Sequence, residues 1–423
     1  MKIYTVEKQS YKQINLTTLF AIVLILCLFF QNVLLEEFIV FKYLDEVIAC
    51  GLFAMYIGGI LIGGAIKKRD IILIVGFIVT VMIGLYSNYT AHFQKNIFII
   101  GSDIISCFKF LFVFLGLSNS RSILYKKINY DKVLNITIPI LTIYLIILSG
   151  FGVLNLVKDT GMYYEIRYGL RAFSFVYGTP GLIINQMTYL LILLGANANR
   201  GKKSMLLFFL VILNIMFTLR TRGFALIAIF ILLYYYFVLL KRKKVGMQIL
   251  IILIVIICLG YSQFEFYFLE GATPRKTFIL GALKILKEYF PIGTGFATYG
   301  SSAAADNYSL LYYILGFNLR YGMSPDTPMF LNDNYWPMIL AQFGLAGTIT
   351  FVYTLYKYLR YVFKLMFKNR SQYCKLFCYF FIFDILFSSI QSSYLAHYSV
   401  VTLSLIFMFC FNHPSSRRGE NGY

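Results

Sequence analysis

Apolar segments recur along the whole chain and alternate with shorter polar stretches. A run of about 20 apolar residues is long enough for a helix to cross the hydrocarbon core of a bilayer. A helix also satisfies its backbone hydrogen bonds internally, as a chain in lipid must. The pattern therefore predicts an all-α polytopic membrane protein with about 12 transmembrane helices. The predicted spans are 16–35, 47–66, 71–86, 97–117, 134–154, 179–196, 204–219, 223–240, 247–262, 336–356, 376–392 and 395–411.

Composition supports this class and excludes an ordinary soluble protein. Hydrophobic residues make up 59% of the chain and charged residues only 13%, whereas soluble domains average about 25% charged residues. The formal net charge of +20 is also compatible with a nucleic-acid partner. Cytoplasmic loops of membrane proteins accumulate lysine and arginine, however, and the basic residues of this chain lie mainly in alternate loops. We therefore expect no nucleic-acid partner.

The distribution of lysine and arginine also predicts the orientation of the chain. Basic residues are dense in the N-terminal segment and in the loops 67–69, 121–132, 200–203, 241–244 and 357–375. If these segments face the cytoplasm, both termini are cytoplasmic and 263–335 is one long extracytoplasmic loop. We predict a multi-pass protein of the inner or plasma membrane, with a single domain over 1–423 and a polar cytoplasmic tail over 414–423.

The external loops contain the residues that break the charge bias, so a functional site is expected there. In the long loop, 276–290 predicts an amphipathic helix that lies at the membrane surface or packs over the bundle, and 307–321 predicts a second short helix. The loop 155–178 carries Arg167 and Arg171 among many aromatic residues. These two arginines either contact lipid headgroups or bind an anionic substrate.

The turn Leu219-Arg-Thr-Arg-Gly223 places Arg220 and Arg222 between two predicted spans with almost no loop. An arginine at the end of a span often reaches toward lipid headgroups, which accounts for one of the two. Two arginines beside a helix N-terminus also suit phosphate oxygens. Arg275, which follows Pro274, has the same two interpretations.

Two further motifs in the long loop have structural and functional interpretations. Gly293 and Gly295, in Pro291-Ile-Gly-Thr-Gly-Phe296, indicate a tight turn and are not by themselves a nucleotide site. Asp333 and Asn334 precede the next span, where Asp and Asn are preferred helix caps. The carboxylate of Asp333 is alternatively a base within reach of a substrate hydroxyl.

Ionisable residues inside predicted spans are functional candidates by default. Asp384 and Lys109 are such residues, although a structural ion pair between them would also satisfy both. His397, at the start of the last span, is either a second base or an interfacial polar residue. The seven cysteines lie in predicted spans or at their cytoplasmic ends, so we expect no disulfides and no metal site.

The order of these motifs resembles the O-antigen and capsular polysaccharide polymerases and ligases. The matching residues are Arg220-Thr-Arg222-Gly223, then Arg275, the turn at 291–296, Asp333-Asn334 and finally Gly344-Leu-Ala-Gly347. The layout is similar over nearly the whole chain, and the motifs cover 220–347. The ligase branch carries His before the Asn, whereas this chain has Asp333, which is more similar to the Wzy-type polymerases.

The resemblance implies a metal-independent glycosyltransferase of the GT-C type that needs no cofactor. Its donor would be a glycan on undecaprenyl pyrophosphate, and its acceptor a hydroxyl of a lipid-linked repeat unit. Without a metal, fixed arginines must neutralise the charge that develops on the leaving pyrophosphate. Catalytic roles are expected for Arg222, Arg275 and Asp333, and substrate-binding roles for Arg220, Arg167, Arg171, Gly293, Gly295 and Asn334.

The resemblance also implies partners: the lipid bilayer and, in an assembly complex, a flippase and a chain-length regulator. The aromatic residues expected to face sugars are Tyr299, Tyr308, Tyr312, Tyr321 and Trp336. One alternative is a flippase or transporter of the same lipid-linked sugars, and another is a ligase-like glycan transferase. A transporter is expected to have inverted repeats and ionisable residues around a cavity at the midplane. The few charged residues in the predicted spans favour the polymerase.

Overall fold

The computed structural model describes residues 15–119, 127–202, 205–241, 273–367 and 371–413. The predicted span 247–262, the beginning of the loop 263–335 and the predicted tail 414–423 lie outside the described residues. The described residues form a bundle of helices. They are α1 Leu16–Phe29, α2 Gln31–Glu37, α3 Leu44–Leu61, α4 Lys68–Ala91, α5 Ile97–Asn119, α6 Tyr130–Val157, α7 Pro180–Asn199, α8 Met205–Phe217, α9 Thr221–Leu233, α10 Pro274–Glu288, α11 Ser302–Asp306, α12 Leu310–Ile314, α13 Tyr335–Phe367, α14 Gln372–Gln391 and α15 Tyr398–Asn412.

The protein is a multi-pass membrane protein, as the apolar pattern predicts. Within the described residues, eight helical segments are long and apolar enough to cross a membrane, and three shorter apolar helices, α1, α8 and α15, accompany them. Each predicted span in this part of the chain overlaps one of these segments. Helix α7 is enclosed on nearly all sides, whereas α3, α4 and α6 expose apolar side chains, as helices facing lipid do.

Short polar side chains set several of the helix starts. The side chains of Asn15, Asn129 and Ser371 accept a hydrogen bond from the first turn of α1, α6 and α14, which satisfies a backbone N–H that has no partner within the helix. Thr273 does the same for α10, and Pro274 follows it at the first helical position, where its fixed φ suits a helix.

The first predicted span is divided. Helix α1 ends at Phe29, and α2 and a 3-10 helix, Ile39–Tyr43, follow before α3. The buried amide of Gln31 joins α2 to the segment that follows it, because its Nε2 donates to the carbonyl of Phe41 and to Oδ1 of Asp45. Both acceptors lie beyond the predicted span 16–35.

The described residues agree with the all-α fold class, to which the loop 155–178 adds a small β-hairpin. Strand β1, Tyr163–Arg167, pairs antiparallel with β2, Leu170–Phe173. Tyr168 and Gly169 make the turn with φ of 54° and 75°, and two residues with positive φ are what a two-residue hairpin loop favours. Arg167 and Arg171 therefore lie on paired strands.

The long loop forms a layer with its own core over one end of the bundle. The predicted helix 276–290 is confirmed as α10, and its position at a membrane surface stays a prediction. The predicted helix 307–321 is wrong in extent, since α12 is followed by a separate 3-10 helix, Phe317–Leu319. The rings of Phe278, Tyr299 and Tyr312 are buried in this core, and those of Phe278 and Tyr299 lie 4.4 Å apart. Tyr299 and Tyr312 therefore pack the loop rather than line an open surface.

Helix α13 breaks at Gly344, which has φ 58° and ψ −162°, and residues 291–296, called the glycine turn below, fill the break. The amides of Thr294 and Gly295 donate to the carbonyls of Ala341 and Gln342 at 3.0 and 2.7 Å. On the other side of the break, the amide of Ala346 donates to the carbonyl of Pro291 at 3.0 Å. Non-helical backbone is tolerated in a membrane bundle where protein groups satisfy it.

Candidate functional site

Three arginines from two segments of the chain meet near the end of helix α14. Arg220 is the residue before α9 and Arg222 lies in its first turn, while Arg275 lies in the first turn of α10. Arg222 contacts Asp384 within α14, and Arg275 Nη2 donates to the carbonyl of Gln391, its last residue, at 3.2 Å. We call Arg220, Arg222 and Arg275 the arginine cluster.

Arg222 is the deepest member of the cluster. Its Nη2 donates to Asp384 Oδ1 at 3.1 Å, and its side chain is 11% exposed, whereas that of Asp384 is fully buried. The other partners of this carboxylate are the hydroxyl groups of Ser388 at 2.8 Å and Tyr394 at 3.0 Å. The guanidinium also lies over the Tyr394 ring, 4.8 Å from its centroid. The charge of Arg222 is therefore balanced inside the bundle.

Arg275 and Asp333 form a second, more open pair. Arg275 Nε lies 3.8 Å from Asp333 Oδ2, and the Asp333 side chain is 35% exposed. Burial raises the pKa of Asp333 above its ordinary value, while the positive charges of Arg275 and Arg220 lower it in part. The net rise indicates that desolvation outweighs the two cations. The carboxyl group thus faces two members of the cluster.

Arg220 connects the cluster to the β-hairpin. Its Nη2 lies 3.3 Å from Glu165 Oε1, and its guanidinium lies 5.0 Å from the centroid of the Tyr164 ring. Arg167 Nε donates to the same Glu165 oxygen at 2.7 Å. Of the two hairpin arginines, the structure brings Arg167 to the cluster.

Arg171 is occupied elsewhere. Its Nη1 donates to the carbonyl of Asn155 at 3.2 Å, and the Asn155 side chain donates back to the Arg171 carbonyl at 3.2 Å. Its Nε also lies 4.0 Å from Asp159. These contacts fasten strand β2 to the end of α6, which gives Arg171 a structural role in this conformation.

Gly293 and Gly295 belong to the packing of the glycine turn. A Cβ on Gly293 would lie 2.5 Å from the carbonyl oxygen of Ala341 and the amide of Gly344, and one on Gly295 would meet the backbone and side chain of Asn88 in α4. Both residues have positive φ, 77° and 89°. Close approach and left-handed backbone account for both glycines. Their predicted role in substrate binding stays a prediction.

Asn334, rather than Asp333, occupies the cap position, because α13 begins at Tyr335. Asn334 is buried. With its amide nitrogen turned toward acceptors, it donates to the carbonyls of Asp333 and Ile390 at 3.3 and 3.2 Å. Asn334 thus ties the start of α13 to the end of α14 and holds Asp333 beside Arg275.

Sequence reasoning identifies Asp333 and Asp384 as candidates but not the arginines that they receive. The alternative that Asp384 pairs with Lys109 is wrong, since Lys109 Nζ contacts Asp45 Oδ2 at 2.7 Å and Asp384 receives Arg222. Glu165 has no predicted role in the sequence. The one available signal was that of an acidic residue in or beside an apolar segment, which indicates a partner without specifying it.

His397 caps helix α15. Its Nδ1 accepts a hydrogen bond from the amide of Ser399 at 3.3 Å, so the neutral ring carries its proton on Nε2. With its acceptor nitrogen used by the helix, this histidine is poorly placed to act as a base.

The aromatic residues expected to face sugars divide into two groups. Tyr299 and Tyr312 lie in the core of the loop, and the Tyr308 hydroxyl donates to the carbonyl of Met323 at 2.9 Å. Trp336 lies beside the cluster, where its Nε1 donates to Ser389 Oγ of α14 at 3.2 Å. Tyr321 is largely exposed.

Within the described ranges, no three His, Cys, Asp or Glu side chains lie together in a way that could hold a metal ion. Comparison with known proteins gives no assignment, since no family model matches the chain and no curated protein matches it. The chemistry of the arginine cluster is therefore the basis for a functional hypothesis.

Proposed function

We propose that this protein is a polysaccharide polymerase. It would transfer a growing glycan from undecaprenyl pyrophosphate to a hydroxyl of a lipid-linked oligosaccharide repeat unit, without a metal ion. The observation that carries the proposal is the convergence of Arg220, Arg222 and Arg275 beside Asp333 at one end of an apolar helical bundle. Cations of this kind suit a pyrophosphate held at a membrane surface.

The reaction needs charge neutralisation and proton removal. The bond between the anomeric carbon and the pyrophosphate oxygen breaks, and the acceptor oxygen forms the new glycosidic bond. The leaving pyrophosphate gains negative charge, which fixed guanidinium groups stabilise without reorganisation. Arg275 and Arg220 are the members of the cluster accessible to it. Arg222, held by Asp384, is the fixed positive charge beneath them, and Asp333 accepts the proton of the acceptor hydroxyl.

The proposal includes the placement of the protein in the cell. We propose a GT-C-type architecture in the inner or plasma membrane, with both termini cytoplasmic and the arginine cluster at the extracytoplasmic end. The loop layer around α10 then lies over the site as a lid. A flippase that delivers repeat units and a chain-length regulator are the expected protein partners.

A second candidate function, transport of lipid-linked sugars, is favoured by one observation. The bundle buries the ionisable side chains of Lys109, Asp45 and Asp103. The apolar segments predict fewer buried ionisable residues than this. Such residues often mark transport pathways. A ligase-like glycan transfer uses the same arginine chemistry and differs in its acceptor. Both alternatives are separable from polymerisation by experiment.

Arginine substitution in the long loop tests the proposal. Arg275→Ala should lower long-chain polymer by about 100-fold or more, the scale for losing one fixed donor to a developing anion. Lipid-linked single repeat units should then accumulate on the outer face. The control is Arg320→Ala, the same substitution in the same loop, where the side chain donates to Thr277 outside the cluster. Accumulation on the inner face would favour the flippase.

Two further arms address the mechanism. Asp333→Asn removes the proposed base but retains a similar shape, so normal polymer in this variant would exclude the base role. Purified protein should polymerise lipid-linked repeat units in the presence of EDTA, and loss of activity there would contradict metal independence. Transfer of the glycan to an acceptor other than a lipid-linked repeat unit would favour the ligase.

A further inference from the structure

One carboxylate oxygen of the β-hairpin is shared by two arginines. Glu165 Oε1 lies 2.7 Å from Arg167 Nε and 3.3 Å from Arg220 Nη2. A carboxylate oxygen between two guanidinium groups occupies the same kind of position as a phosphate oxygen bound by two arginines. Two cations around one anion leave a net positive charge, so the pair of arginines can accept a ligand with more negative charge than a carboxylate.

The hairpin is shaped to hold this arrangement. Its register shifts between Tyr163 and Ile166, which makes a β-bulge that includes Tyr164 and Glu165. Consecutive side chains of a regular strand point to opposite faces, and a bulge re-aims one of them. Both Tyr164 and Glu165 consequently contact Arg220, the first through its ring and the second through its carboxylate.

The contact is accessible and exchangeable. The side chains of Glu165, Arg167 and Arg220 are 36%, 22% and 28% exposed, in contrast to the fully buried Asp384 that holds Arg222. Partly exposed ion pairs add little net stability, because water screens them and the side chains lose freedom. A phosphate or pyrophosphate group can therefore displace the Glu165 carboxylate from Arg167 and Arg220 at little cost in stability.

We infer that Arg167 and Arg220 form a binding site for a phosphate or pyrophosphate group, and that Glu165 occupies this site as an internal substitute. The site adjoins the Arg275–Asp333 pair, because Arg220 belongs to the arginine cluster and is near enough to Asp333 to lower the pKa of its carboxyl group. The identity of the ligand as the pyrophosphate of a lipid-linked substrate rests on the proposed function. The existence of the anion site does not.

The test measures binding of inorganic pyrophosphate to the purified full-length protein in a neutral detergent. Glu165→Gln should tighten binding roughly two- to fivefold, the change that corresponds to removing one exposed competing ion pair. The matched control is Asp159→Asn, which removes the same charge from the same loop and lies 4.0 Å from Arg171. It should leave the affinity unchanged. The double variant Glu165→Gln with Arg220→Gln should lose the gain.

Three outcomes would overturn the inference. Equal gains in Glu165→Gln and Asp159→Asn would show only an effect of net charge. Weaker binding in Glu165→Gln would show that Glu165 organises the arginines rather than competes for them. Anionic lipid repels pyrophosphate in general, so the comparison is between Glu165→Gln and Asp159→Asn within each lipid. Loss of the difference between these two variants in phosphatidylglycerol vesicles, but not in phosphatidylcholine vesicles, would assign the site to phospholipid headgroups instead of a pyrophosphate. We expect the same difference in both lipids.

Failure of this inference is distinguishable from failure of the proposed function. If the wild-type protein makes polymer but Glu165→Gln binds pyrophosphate no more tightly than the wild type, only the hairpin site is contradicted. If the wild-type protein makes no polymer but Glu165→Gln binds pyrophosphate more tightly and Asp159→Asn does not, the polymerase is contradicted and the anion site is supported.

Discussion

The glycine turn and the arginine cluster lie at the same end of the bundle, and their polar groups are satisfied in opposite ways. In the turn, backbone amides bond directly to α13, and Asn88 of α4 makes hydrogen bonds with both the amide and the carbonyl of Phe296 at 2.7 and 2.9 Å. In the cluster, Arg275 and Arg220 are held by the partly exposed carboxylates of Asp333 and Glu165.

The difference divides the polar contacts into two kinds. Buried contacts that must stay in place form what we call the framework, and partly exposed contacts that a ligand can replace are called exchangeable. Buried polar groups that lose a partner pay the full desolvation penalty, about 1–3 kcal/mol each, so the glycine turn cannot change partners readily. Exposed ion pairs are worth about 0–1 kcal/mol, so a ligand can replace a carboxylate in the cluster. Arg222 belongs to the framework although it is part of the cluster, because Asp384 is buried.

The largest effect on stability is expected for Asp384, the buried carboxylate that joins Arg222 of the cluster to the framework. Asp384→Asn keeps the shape of the side chain but leaves the mostly buried charge of Arg222 without its carboxylate. Breaking a buried ion pair on one side lowers stability by about 3–5 kcal/mol. The measurement is the thermal unfolding midpoint of the purified protein in detergent, which should fall markedly.

The matched control is Asp306→Asn, which breaks the exposed pair between Lys42 and Asp306 and should change stability by less than about 1 kcal/mol. Removing both charges, in Arg222→Gln with Asp384→Asn, should restore part of the loss. Equal shifts for Asp384→Asn and Asp306→Asn would mean that Arg222 is not part of the framework.

A smaller effect is expected in the glycine turn. Gly293 and Gly316 have similar positive φ, 77° and 69°, but a Cβ on Gly316 meets nothing within 4 Å, whereas one on Gly293 meets two backbone atoms at 2.5 Å. Both alanine variants lose about 1–2 kcal/mol from left-handed backbone. Gly293→Ala should lose about 1–3 kcal/mol more from overpacking.

Thermal unfolding and polymer synthesis together separate the two roles of Gly293. A packing role predicts a lower unfolding midpoint in Gly293→Ala than in Gly316→Ala, with polymer falling only as folded protein is lost. A role in substrate binding predicts loss of polymer at the same stability as Gly316→Ala, which would place the glycine turn within the site.

The helices could be predicted from the sequence, but their breaks could not. Hydrophobic segments of sufficient length specify spans because lipid leaves the chain few alternatives. The break at Gly344 depends instead on tertiary hydrogen bonds, such as the one from Ala346 to Pro291. The hairpin had only a short signal, the turn at Tyr168 and Gly169, within a loop that is rich in aromatic residues.

The cations of the site and Asp333 could be predicted, but the pairing of Arg220 and Arg222 with their carboxylates could not. Arg220, Arg222 and Arg275 are conspicuous because they oppose the charge bias that is expected for the predicted external loops. Their carboxylates come from distant positions: Asp384 is separated from Arg222 by 162 residues. No local pattern in a single sequence specifies such a pairing. Only folding brings the hairpin, α9, α10 and α14 to one place.

The smallest effect on stability is expected for the partly exposed pair of Arg275 and Asp333. Because burial raises the pKa of Asp333 above its ordinary value despite Arg275 and Arg220, the protonated carboxyl group stabilises the folded protein. This contribution is complete below the ordinary pKa of aspartate and is lost as the pH rises through the raised value. Ionised Asp333 is therefore slightly destabilising at neutral pH. Solvent screening of a side chain that is 35% exposed keeps the effect below about 1 kcal/mol.

Asp333→Asn removes this titration, so its thermal unfolding midpoint should equal or slightly exceed that of the wild type at neutral pH. The difference should shrink toward about pH 4, where an ordinary aspartate becomes neutral. Glu165→Gln serves as the comparison, because it removes a carboxylate of similar exposure on the other side of Arg220. A variant Asp333→Asn that unfolds well below the wild type at neutral pH would show that ionised Asp333 holds Arg275 as firmly as Asp384 holds Arg222, and the division between framework and exchangeable contacts would fail at this pair.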